Sequence, residues 1–517
     1  MVYGDLIASM ARRSPNGTAI VFEDKSFTWK EANDRVNSLA NALVALGLEK
    51  GDRVAIFAQN SHRYAESYFA LAKAGLVSVP INWQSPASEA CYILNDSGAR
   101  ALIADEQFLP FIESLSSQLK SVRHVIGMGG KSGAGPDYEV LISQFPASEP
   151  AVEVLPEDLR SIVYTSGTTG MPKGCITTHR QSLVSFANFL IEIPVPFEQP
   201  TLLAVPFFTG FGAHLCFDAP YSRSTMVILR KFEPSAVLAA IQRHRIAHLC
   251  LVPTMISALC NVPNISKYDL SSLRLIAYGG SPISAAVLKR AISVFRCGFC
   301  QLFGTAEAGG LVAYLTPEDH ELDGSEIKEK RLLSTGREAL YAKIRLIDDE
   351  GKEVPPNEPG ELTVRSESTF SGYWNMPEKT AETIRNGWVY TGDVGYRDED
   401  GYIYIVDRKK EMIISGGVNI YPAEIEAVLY THPAVAQAAV IGVPDPHWGE
   451  AVKAIVELKP DAQASEEEII EFCRERLASY KKPKSVDFVT GLVSNSGKVA
   501  KRQLRERYWK GEQRRVH

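Results

Sequence analysis

The chain has 517 residues, 45% of them hydrophobic, and a formal net charge of -6. This length predicts several domains of roughly 100–200 residues each, with ordinary apolar cores. The small negative charge excludes a general electrostatic attraction to nucleic acid or anionic lipid. No run approaches the roughly 18 apolar residues of a membrane span, and no apolar segment indicates a signal peptide. Because its eight cysteines are scattered, we expect a reduced, cytoplasmic protein.

The first part of the chain alternates between amphipathic helical patterns and short apolar strand patterns. A predicted helix over 29–48 precedes a predicted strand over 52–58, and a second helix over 66–75 precedes a strand over 76–82. Apolar strands that alternate with amphipathic helices are typical of a parallel sheet covered on both faces.

The same α/β pattern continues after Gly174. Predicted strands cover 201–207, 225–230, 247–253 and 273–280, and predicted helices cover 234–244 and 285–295. From about Gly336 the pattern changes to short β-segments with turns, and Asp400-Gly401 predicts a hairpin. After Lys410 we expect a smaller α+β unit.

Two cysteines, Cys297 and Cys300, have the spacing of a redox dithiol or of half a zinc site. No second Cys-x-x-Cys pair exists, and this pair lies in the apolar stretch ISVFRCGFCQLFG. Buried strand cysteines behave as small hydrophobes, so the pattern favours a structural role over a redox role.

The stretch YTSGTTGMPKGC, from Tyr164 to Cys175, is rich in glycine and hydroxyl residues. Glycines allow backbone amides to approach a ligand, hydroxyls donate hydrogen bonds, and Lys173 supplies a charge. These properties predict a loop that wraps phosphate oxygens. Because Met171 and Pro172 precede the lysine, it is not a Walker A loop, and a polar surface loop is the alternative. Its candidate ligands are Thr165, Ser166, Gly167, Thr168, Thr169, Gly170 and Lys173.

Two later segments end in small residues and turns, which suits the binding of a flat ring against backbone. They are YGGSPIS at 278–284 and QLFGTAEAGG at 301–310. Phe303 offers a stacking face, and Glu307 offers a hard oxygen ligand for Mg²⁺. The candidate binding residues here are Gly279, Gly280, Ser281, Pro282, Gln301, Leu302, Phe303, Gly304, Thr305 and Ala306.

Three charged residues complete a predicted nucleotide site. Asp393 is an acceptor pair suited to two ribose hydroxyls, Arg408 suits ribose or phosphate, and Lys498 follows a glycine. Each has a structural alternative, since Glu307 could serve a helix N-terminus and Asp393 could be a turn residue. Lys498 alone could be a solvated lysine, as we expect for Lys501, Arg505 and Arg507.

Taken in order, these motifs resemble the adenylate-forming superfamily, from about Phe27 to Arg502. The likeness is greatest to acyl- and aryl-CoA ligases, in MIISGGVNIYPAEIE, in the WGE of VPDPHWGE and in YKKPK. The resemblance implies an α/β fold with a large N-terminal domain, 1–407, of two doubly wound sheets plus a distorted β-barrel. A hinge at 408–410 and a small mobile α+β C-terminal domain, 411–517, would follow.

The resemblance also implies the chemistry. A carboxylate attacks the α-phosphate of ATP to give acyl-AMP, and a thiol then takes the acyl group. Glu307 would bind Mg²⁺, Lys498 would lie between the carboxylate and the α-phosphate, and Lys410 would be the hinge residue. On the small domain, the residues implied in coenzyme A binding are Ser415, Gly416, Gly417, Trp448, Tyr480 and Lys484.

Three departures from the family pattern concern the substrate and the phosphates. Ala306 replaces a usual threonine, so either Thr305 turns inward or the α-phosphate lacks that hydroxyl. Thr209 replaces a usual histidine, which leaves room beside the carboxylate, and Leu492-Val493 replaces a usual Leu-Pro. The implied acyl wall consists of Phe207, Phe208, Thr209, Phe211, His214 and Tyr278.

An apolar wall suits either an alkyl or an aryl acid. We expect a fatty or other apolar carboxylic acid, with an aryl acid as the alternative, because no aspartate occupies the amino-group position of peptide-synthetase domains. Three further alternatives remain: an adenylating enzyme that loads a carrier protein, a monooxygenase of the luciferase kind, and a non-catalytic binding protein.

Overall fold

The structure is a computed structural model that describes residues 1–130, 135–165, 171–281, 283–409, 411–416, 418–492, 499 and 501–509. Its first segment contains α1 (Asp5–Arg13), β1 (Thr18–Phe22), β2 (Lys25–Thr28), α2 (Trp29–Ala45), β3 (Arg53–Phe57), α3 (His62–Lys73), β4 (Val77–Pro80), α4 (Ala87–Ser97), β5 (Ala101–Asp105), α5 (Leu109–Leu115), β6 (His124–Met128) and α6 (Tyr138–Ser143). Helix α2 begins at a capping box, since Thr28 accepts from the amide of Glu31 and the Glu31 carboxylate accepts from the amide of Thr28.

The second segment continues the α/β alternation. It contains β7 (Leu159–Thr165), β8 (Lys173–Thr178), α7 (His179–Glu192), β9 (Thr201–Leu203), α8 (Gly210–Ser222), β10 (Met226–Ile228), α9 (Pro234–His244), β11 (His248–Leu251), α10 (Pro253–Cys260), β12 (Leu275–Gly279), α11 (Ala285–Phe295), β13 (Gly298–Thr305) and β14 (Gly310–Leu315). The helices predicted over 234–244 and 285–295 are confirmed to the residue as α9 and α11.

The third segment is mainly β-structure. It contains α12 (Glu326–Arg331), β15 (Arg337–Glu338), β16 (Ala342–Ile347), β17 (Gly360–Ser366), β18 (Gly372–Tyr373), α13 (Pro377–Thr383), β19 (Ile384–Arg385), β20 (Trp388–Arg397) and β21 (Ile403–Arg408). Strands β20 and β21 pair antiparallel across the turn that contains Asp400 and Gly401, which confirms the predicted hairpin.

The last segment forms the small α+β unit. It contains β22 (Ile413–Ser415), β23 (Val418–Ile420), α14 (Pro422–Leu429), β24 (Val435–Asp445), β25 (Gly449–Leu458), α15 (Glu466–Arg474), β26 (Ser485–Phe488) and α16 (Lys501–Glu506). Its sheet has the order β23-β22-β25-β24, with β26 parallel to β25. The fold is therefore mixed α/β, with a large N-terminal domain and a small C-terminal domain, as expected.

The large domain contains two sheets with parallel centres. One has nine strands in the order β15-β14-β13-β12-β11-β9-β10-β1-β2, and the other has seven in the order β18-β8-β7-β4-β3-β5-β6. A third, antiparallel sheet has the order β16-β17-β20-β19, with β21 paired to β20. None of the described helices has the length and apolarity needed to cross a bilayer.

The main core contains helices α7 and α8 and one face of the nine-stranded sheet. Cys300 is buried in β13, and Cys297 is half-buried just before that strand. Both thiols are free, and burial raises the pKa of Cys297 to about 12. The expected structural role of this pair therefore fits its placement, because an unreactive thiol needs a high pKa.

Near the chain's end, one expectation is wrong. Lys501 was expected to be solvated, but its side chain is 13% exposed and its Nζ lies 2.7 Å from Glu426 and 3.4 Å from Glu411. Burial alone lowers the pKa of Lys501, but the two carboxylates raise it above its ordinary value. The fixed cation thus joins α16 to α14 and to the residues after β21.

Candidate active site

The glycine-rich loop connects β7 to β8, and we call the paired strand ends at Thr165 and Lys173 the neck of the loop. Thr165 pairs with Lys173 across the two strands. The loop candidates Ser166, Gly167, Thr168, Thr169 and Gly170 lie outside the described residues. Gly174 is needed for packing, since a Cβ there would lie 2.6 Å from Ile162 Cγ2. The strand pairing therefore fixes where the predicted phosphate loop begins and ends.

A residue that sequence reasoning missed joins two predicted ones. The Nζ of Lys173 lies 4.9 Å from the ring centroid of Tyr373, and the Tyr373 hydroxyl donates a 2.8 Å hydrogen bond to Glu307 Oε1. Burial raises the pKa of the Tyr373 hydroxyl, and the charge of Glu307 raises it further. The sequence signal was only a Gly372-Tyr373 step, which is too common to single out. We call Lys173, Tyr373 and Glu307 the phosphate-side cluster.

Glu307 lies in the connection between β13 and β14. Its carbonyl accepts a hydrogen bond from the amide of Phe370 at 3.1 Å, and its side chain is half-buried. Mg²⁺ keeps several water or phosphate ligands and needs only one or two carboxylates from the protein. A single carboxylate beside a phosphate loop therefore fits a magnesium ion held partly by substrate oxygens.

The two residues before Glu307 have different roles. Thr305 Oγ1 accepts a hydrogen bond from the amide of Ala308 at 3.0 Å, and the Ala306 methyl packs against the cluster that contains Phe370 and Tyr373. The hydroxyl of Thr305 is therefore used as a turn acceptor but keeps its proton for donation. The methyl of Ala306 contributes apolar contact to this cluster.

The predicted ring-binding segments lie at the ends of neighbouring strands, β12 and β13. A Cβ at Gly279 would lie 2.4 Å from the Leu302 carbonyl oxygen, and one at Gly304 would lie 1.6 Å from the Gly310 oxygen. Gly280 has a φ of +86°, which favours glycine. Close backbone contacts therefore require glycine at 279 and 304, and the positive φ favours it at 280.

The other predicted ring-binding residues differ in exposure. Gln301 and Leu302 are buried, Ser281 and Phe303 are half-buried, and Pro282 lies outside the described residues. Among these residues, Ser281 and Phe303 are therefore the ones with surface open to a ligand.

Asp393 has an unsatisfied acceptor. Its side chain lies in β20, its Oδ1 is 2.8 Å from Arg408 Nε, and its buried Oδ2 has no partner among the described residues. Burial raises the pKa of Asp393, Arg408 lowers it, and Glu307 raises it. A buried acceptor without a donor is costly, and a ribose hydroxyl would satisfy it. The expected pairing of Asp393 with Arg408 is present.

The small domain holds Gly416 against an indole. Gly416 has a φ of +59°, and a Cβ there would lie 2.6 Å from Trp448 Cε3. The Gly416 amide donates to the Trp448 carbonyl at 2.8 Å, and Ser415 pairs with Gly449. Trp448 is 46% exposed, so part of its ring surface is open to a ligand.

The remaining residues expected to bind coenzyme A are less constrained. Tyr480 and Lys484 are exposed on the small domain. Gly417, Lys410 and Lys498 lie outside the described residues, so their roles stay predictions.

On the acyl side, Thr209 caps helix α8. Its hydroxyl accepts from the amide of Gly212 at 2.9 Å and donates to the Pro206 carbonyl at 2.8 Å. Phe208 is half-buried beside it, and Phe211 packs on the main core. Thr209 is therefore the residue at which helix α8 is capped.

His214 lies one turn further along α8. Its ring stacks on Phe186 with centroids 3.9 Å apart, and lies edge-on to Phe189 at 5.2 Å. Burial and, to a lesser extent, the charge of Arg160 lower the pKa of His214 to about 3. The imidazole is therefore neutral at physiological pH.

Two members of the expected acyl wall are core residues. The Phe207 ring is 1% exposed and lies edge-on to Tyr64. Tyr278 is fully buried on the far face of the nine-stranded sheet, and its hydroxyl bonds His320 Nε2 at 2.9 Å. The structure thus leaves Phe208, Thr209, Phe211 and His214 as the wall candidates that are not fully buried.

Comparison with known proteins accounts for this arrangement. Residues 7–374 match the AMP-binding enzyme family, and residues 424–498 match the AMP-binding enzyme C-terminal domain. A feruloyl-CoA synthase from Amycolatopsis sp is 37% identical over 96% of this chain and 97% of its own length. The fatty acid–[acyl-carrier-protein] ligase ScoC of Streptomyces coeruleorubidus is 35% identical over 98% of this chain and 96% of its own.

A solved structure agrees over nearly the whole length. The anthranilate CoA ligase AuaEII, in complex with anthranoyl-AMP, superposes with a TM-score of 0.89 at 30% identity, covering 98% of this chain and 97% of that one. The phosphate-side cluster, the unsatisfied acceptor of Asp393 and the small C-terminal unit agree with these matches. The chain therefore belongs to the AMP-binding enzyme family of the adenylate-forming superfamily, and it is an AMP-forming acid–thiol ligase.

Proposed function

We propose that this protein activates an apolar carboxylic acid with ATP and transfers the acyl group to coenzyme A. The products are acyl-CoA, AMP and pyrophosphate. The observation that carries the proposal is the convergence of Lys173, Tyr373 and Glu307 at the neck of the glycine-rich loop, with Asp393 nearby and one acceptor unsatisfied.

In the first half-reaction two anions must meet. A carboxylate oxygen attacks the α-phosphorus, a new P–O bond forms, and the bond to pyrophosphate breaks. Fixed positive charges and donors supply most of the rate enhancement in such a step, because they hold and neutralise the reacting groups. We assign this role to Lys173 and the loop 165–170 on the phosphates and to Lys498 at the reacting oxygens.

Glu307 would hold Mg²⁺, which would neutralise phosphate charge when bound. The hydrogen bond from Tyr373 fixes the orientation of the Glu307 carboxylate, while the cation–π contact places Lys173 against the same ring. Asp393 and Arg408 would hold the ribose.

In the second half-reaction the thiol sulfur attacks the acyl carbon. The S–C bond forms, the C–O bond to AMP breaks, and the thiol proton leaves. Gly416 and the exposed part of the Trp448 ring would border the path of the thiol arm, with Gly417 beyond them and Tyr480 and Lys484 nearer the nucleotide end. Rotation of the small domain about Lys410 would withdraw Lys498 from the cleft and bring this face of the domain into it.

The acid is apolar in this proposal because aromatic rings surround the start of α8. The rings of Phe186 and Phe189 lie against His214, and Phe211 packs on the same core cluster. An apolar group is the natural occupant of a pocket with such a wall. Relatives named for ferulic acid and for fatty acids support an aryl or an alkyl acid equally.

Two further expectations belong to this proposal. The acceptor is coenzyme A, as in the relatives named as CoA ligases, with a carrier-protein thiol as the alternative that ScoC suggests. The location is cytoplasmic, because the cysteines are free thiols, as is typical of a reducing compartment.

The test incubates the purified protein with ATP, Mg²⁺, coenzyme A and a broad library of apolar acids. Mass spectrometry should find acyl-CoA, with AMP and pyrophosphate in equal amounts. If acyl-AMP forms without acyl-CoA, the proposed acceptor becomes a carrier-protein thiol in place of coenzyme A. No acid-dependent release of pyrophosphate from any member of the library would contradict the proposal.

A further inference from the structure

Helix α8 carries buried polar atoms on two side chains that have no hydrogen-bond partner among the described residues. Asp218 is 2% exposed, and within the described part of the chain neither of its carboxylate oxygens has a hydrogen-bond partner. His214 Nε2, one turn earlier, is also buried without a partner. Polar groups buried in this way cost free energy, so a ligand or trapped water is expected to use them.

The two groups are spaced for one shared partner. His214 Nε2 and Asp218 Oδ1 are 3.9 Å apart, which is too long for a hydrogen bond between them. A single oxygen atom can lie at about 2.8 Å from each of two atoms separated in this way. A hydroxyl group can also donate to one of them and accept from the other.

A row of small side chains lies opposite this part of α8. Cys250, Ala277 and Cys300 are in register on β11, β12 and β13, and all three belong to the core cluster on the α8 side of the sheet. Burial raises the pKa of the Cys250 thiol, and the Asp218 carboxyl raises it further. Asp218 is therefore near enough to Cys250, at one end of the small-residue row, for its charge to act on that thiol.

His214 and Asp218 lie along α8 beyond Thr209, where the entrance of the acyl site is expected. Thr209 begins α8, and His214 and Asp218 lie roughly 8 and 14 Å further along the helix axis at 1.5 Å per residue. Phe186 and Tyr221 stack alongside, with ring centroids 5.7 Å apart. An acid whose carboxylate lies near Thr209 would extend past aromatic rings toward these two groups.

We propose that the acyl pocket lies between α8 and this row of small residues, and that His214 and Asp218 bind a hydroxyl group at the far end of the acid. This inference rests on the proposed acid activation and narrows its substrate to an apolar acid with one distal hydroxyl. A neutral hydroxyl fits better than an ammonium group, because the charge of Arg160 already acts on His214. Burial raises the pKa of Asp218, so this carboxyl can hold the proton that it donates.

The experiment compares two pairs of acids that differ only in that hydroxyl. One pair is cinnamic acid and its para-hydroxy derivative, and the other is octanoic acid and its terminally hydroxylated derivative. Acid-dependent pyrophosphate release gives kcat/KM for each. The wild-type protein should prefer the hydroxylated member of at least one pair about tenfold or more, since unpaired buried groups penalise the analogue that lacks the hydroxyl. The pair that shows the preference identifies an aryl or an alkyl acid.

Asp218→Leu should abolish or invert this preference, and Asp218→Asn should keep part of it. The matched control is Asp105→Asn, which alters another buried carboxyl, on the seven-stranded sheet, and should leave the preference unchanged. If Asp218→Leu does not fold, His214→Leu provides the same comparison. Thermal unfolding of each variant measures any purely structural effect.

Three results would overturn the inference. Equal kcat/KM within both pairs in the wild-type protein would do so while leaving the proposed acid activation intact. An unchanged preference in the Asp218 and His214 variants, with only a lower melting temperature, would show that the two groups hold water. A protein that releases pyrophosphate with no acid at all would contradict the proposed function and this inference together.

Discussion

At the residue scale, the site depends on side chains that position one another. Tyr373 contacts both Lys173 and Glu307, so a single ring fixes a cation and an anion that the sequence places more than a hundred residues apart. Sequence reasoning found the two charged residues because their types suit phosphate and metal. It missed the tyrosine because its role is to orient another side chain.

Glu307→Gln should weaken the binding of Mg²⁺ and lower the rate of both half-reactions. The expected change is a higher Mg²⁺ concentration for half-maximal pyrophosphate release, since an amide is a poorer ligand than a carboxylate for a hard cation. Glu350→Gln, at an exposed site in the turn after β16, is the matched control and should change nothing. An unaltered rate and Mg²⁺ dependence in Glu307→Gln would remove this residue from the metal site.

Tyr373→Phe should keep the ring under Lys173 and remove only the hydrogen bond to Glu307. A hydrogen bond to a charged group contributes about 1.5–3 kcal/mol, so we expect kcat/KM to fall by about tenfold or more. The Mg²⁺ dependence should shift in the same direction as in Glu307→Gln. Tyr341→Phe, at an exposed tyrosine, serves as the control. A fall in kcat/KM with no shift in Mg²⁺ dependence would mean that Tyr373 does not act through Glu307.

At the element scale, the helices and strands that the sequence predicted could be identified because their patterns are local. Helices α9 and α11 begin at or just after capping residues and end before residues in the left-handed region, so their bounds follow from short-range chemistry. The face that each strand presents was not predictable in this way. Tyr278 and Ala277 are neighbours in β12, and the alternation of the strand puts the tyrosine in the far core and the alanine in the row opposite α8.

The start of α8 provides a prediction at this scale. Thr209→His should crowd the mouth of the pocket and shift the preference of the enzyme toward smaller acids. It also removes the cap of α8, which costs about 1 kcal/mol of stability. Thr209→Ala is the matched control, because it loses the same cap without adding bulk. The two variants should therefore melt at similarly reduced temperatures, and only Thr209→His should change the acid profile. Matching acid profiles in the two variants would show that position 209 does not face the substrate.

At the scale of the whole molecule, several buried imidazoles make stability depend on pH. Burial lowers the pKa of His179 and His214 to about 3, and of His248 and His320 to about 4. His320 accepts from Tyr278 at Nε2, which leaves Nδ1–H to donate to the Thr316 carbonyl. These rings are neutral in the folded protein and take up protons only after unfolding at mildly acid pH.

The free energy of unfolding should therefore be fully maintained above pH 6.5, the ordinary value for histidine, and should fall as the pH drops toward 4. His320 alone would contribute a loss of up to about 3 kcal/mol over that range. His320→Gln should show a shallower dependence in urea denaturation measured across this interval, because a glutamine binds no proton. An identical slope in the variant would mean that His320 is protonated in the folded protein.

The expectation that two domains meet over one site rests on resemblance alone. Composition and periodicity predicted an α/β fold and a smaller last unit, but no local pattern shows that Asp393 on β20 is near enough to Glu307 after β13 for the glutamate to raise its pKa. That proximity depends on how the third sheet packs against the other two. Of the pair His214 and Asp218, the sequence analysis named only His214, since a buried carboxylate on a helix has no distinctive motif.

The most direct test separates the two half-reactions in Lys498→Ala. One assay supplies acid, ATP and Mg²⁺ and follows pyrophosphate, and the other supplies synthetic acyl-AMP and coenzyme A and follows acyl-CoA. The variant should lose adenylation by roughly the 10²–10³-fold typical of one preorganised charge-stabilising donor, and should largely keep thiolysis. Gly417→Leu should do the reverse by blocking the thiol arm. Equal losses of both half-reactions in both variants would contradict the claim that one cleft uses two faces of the small domain in turn.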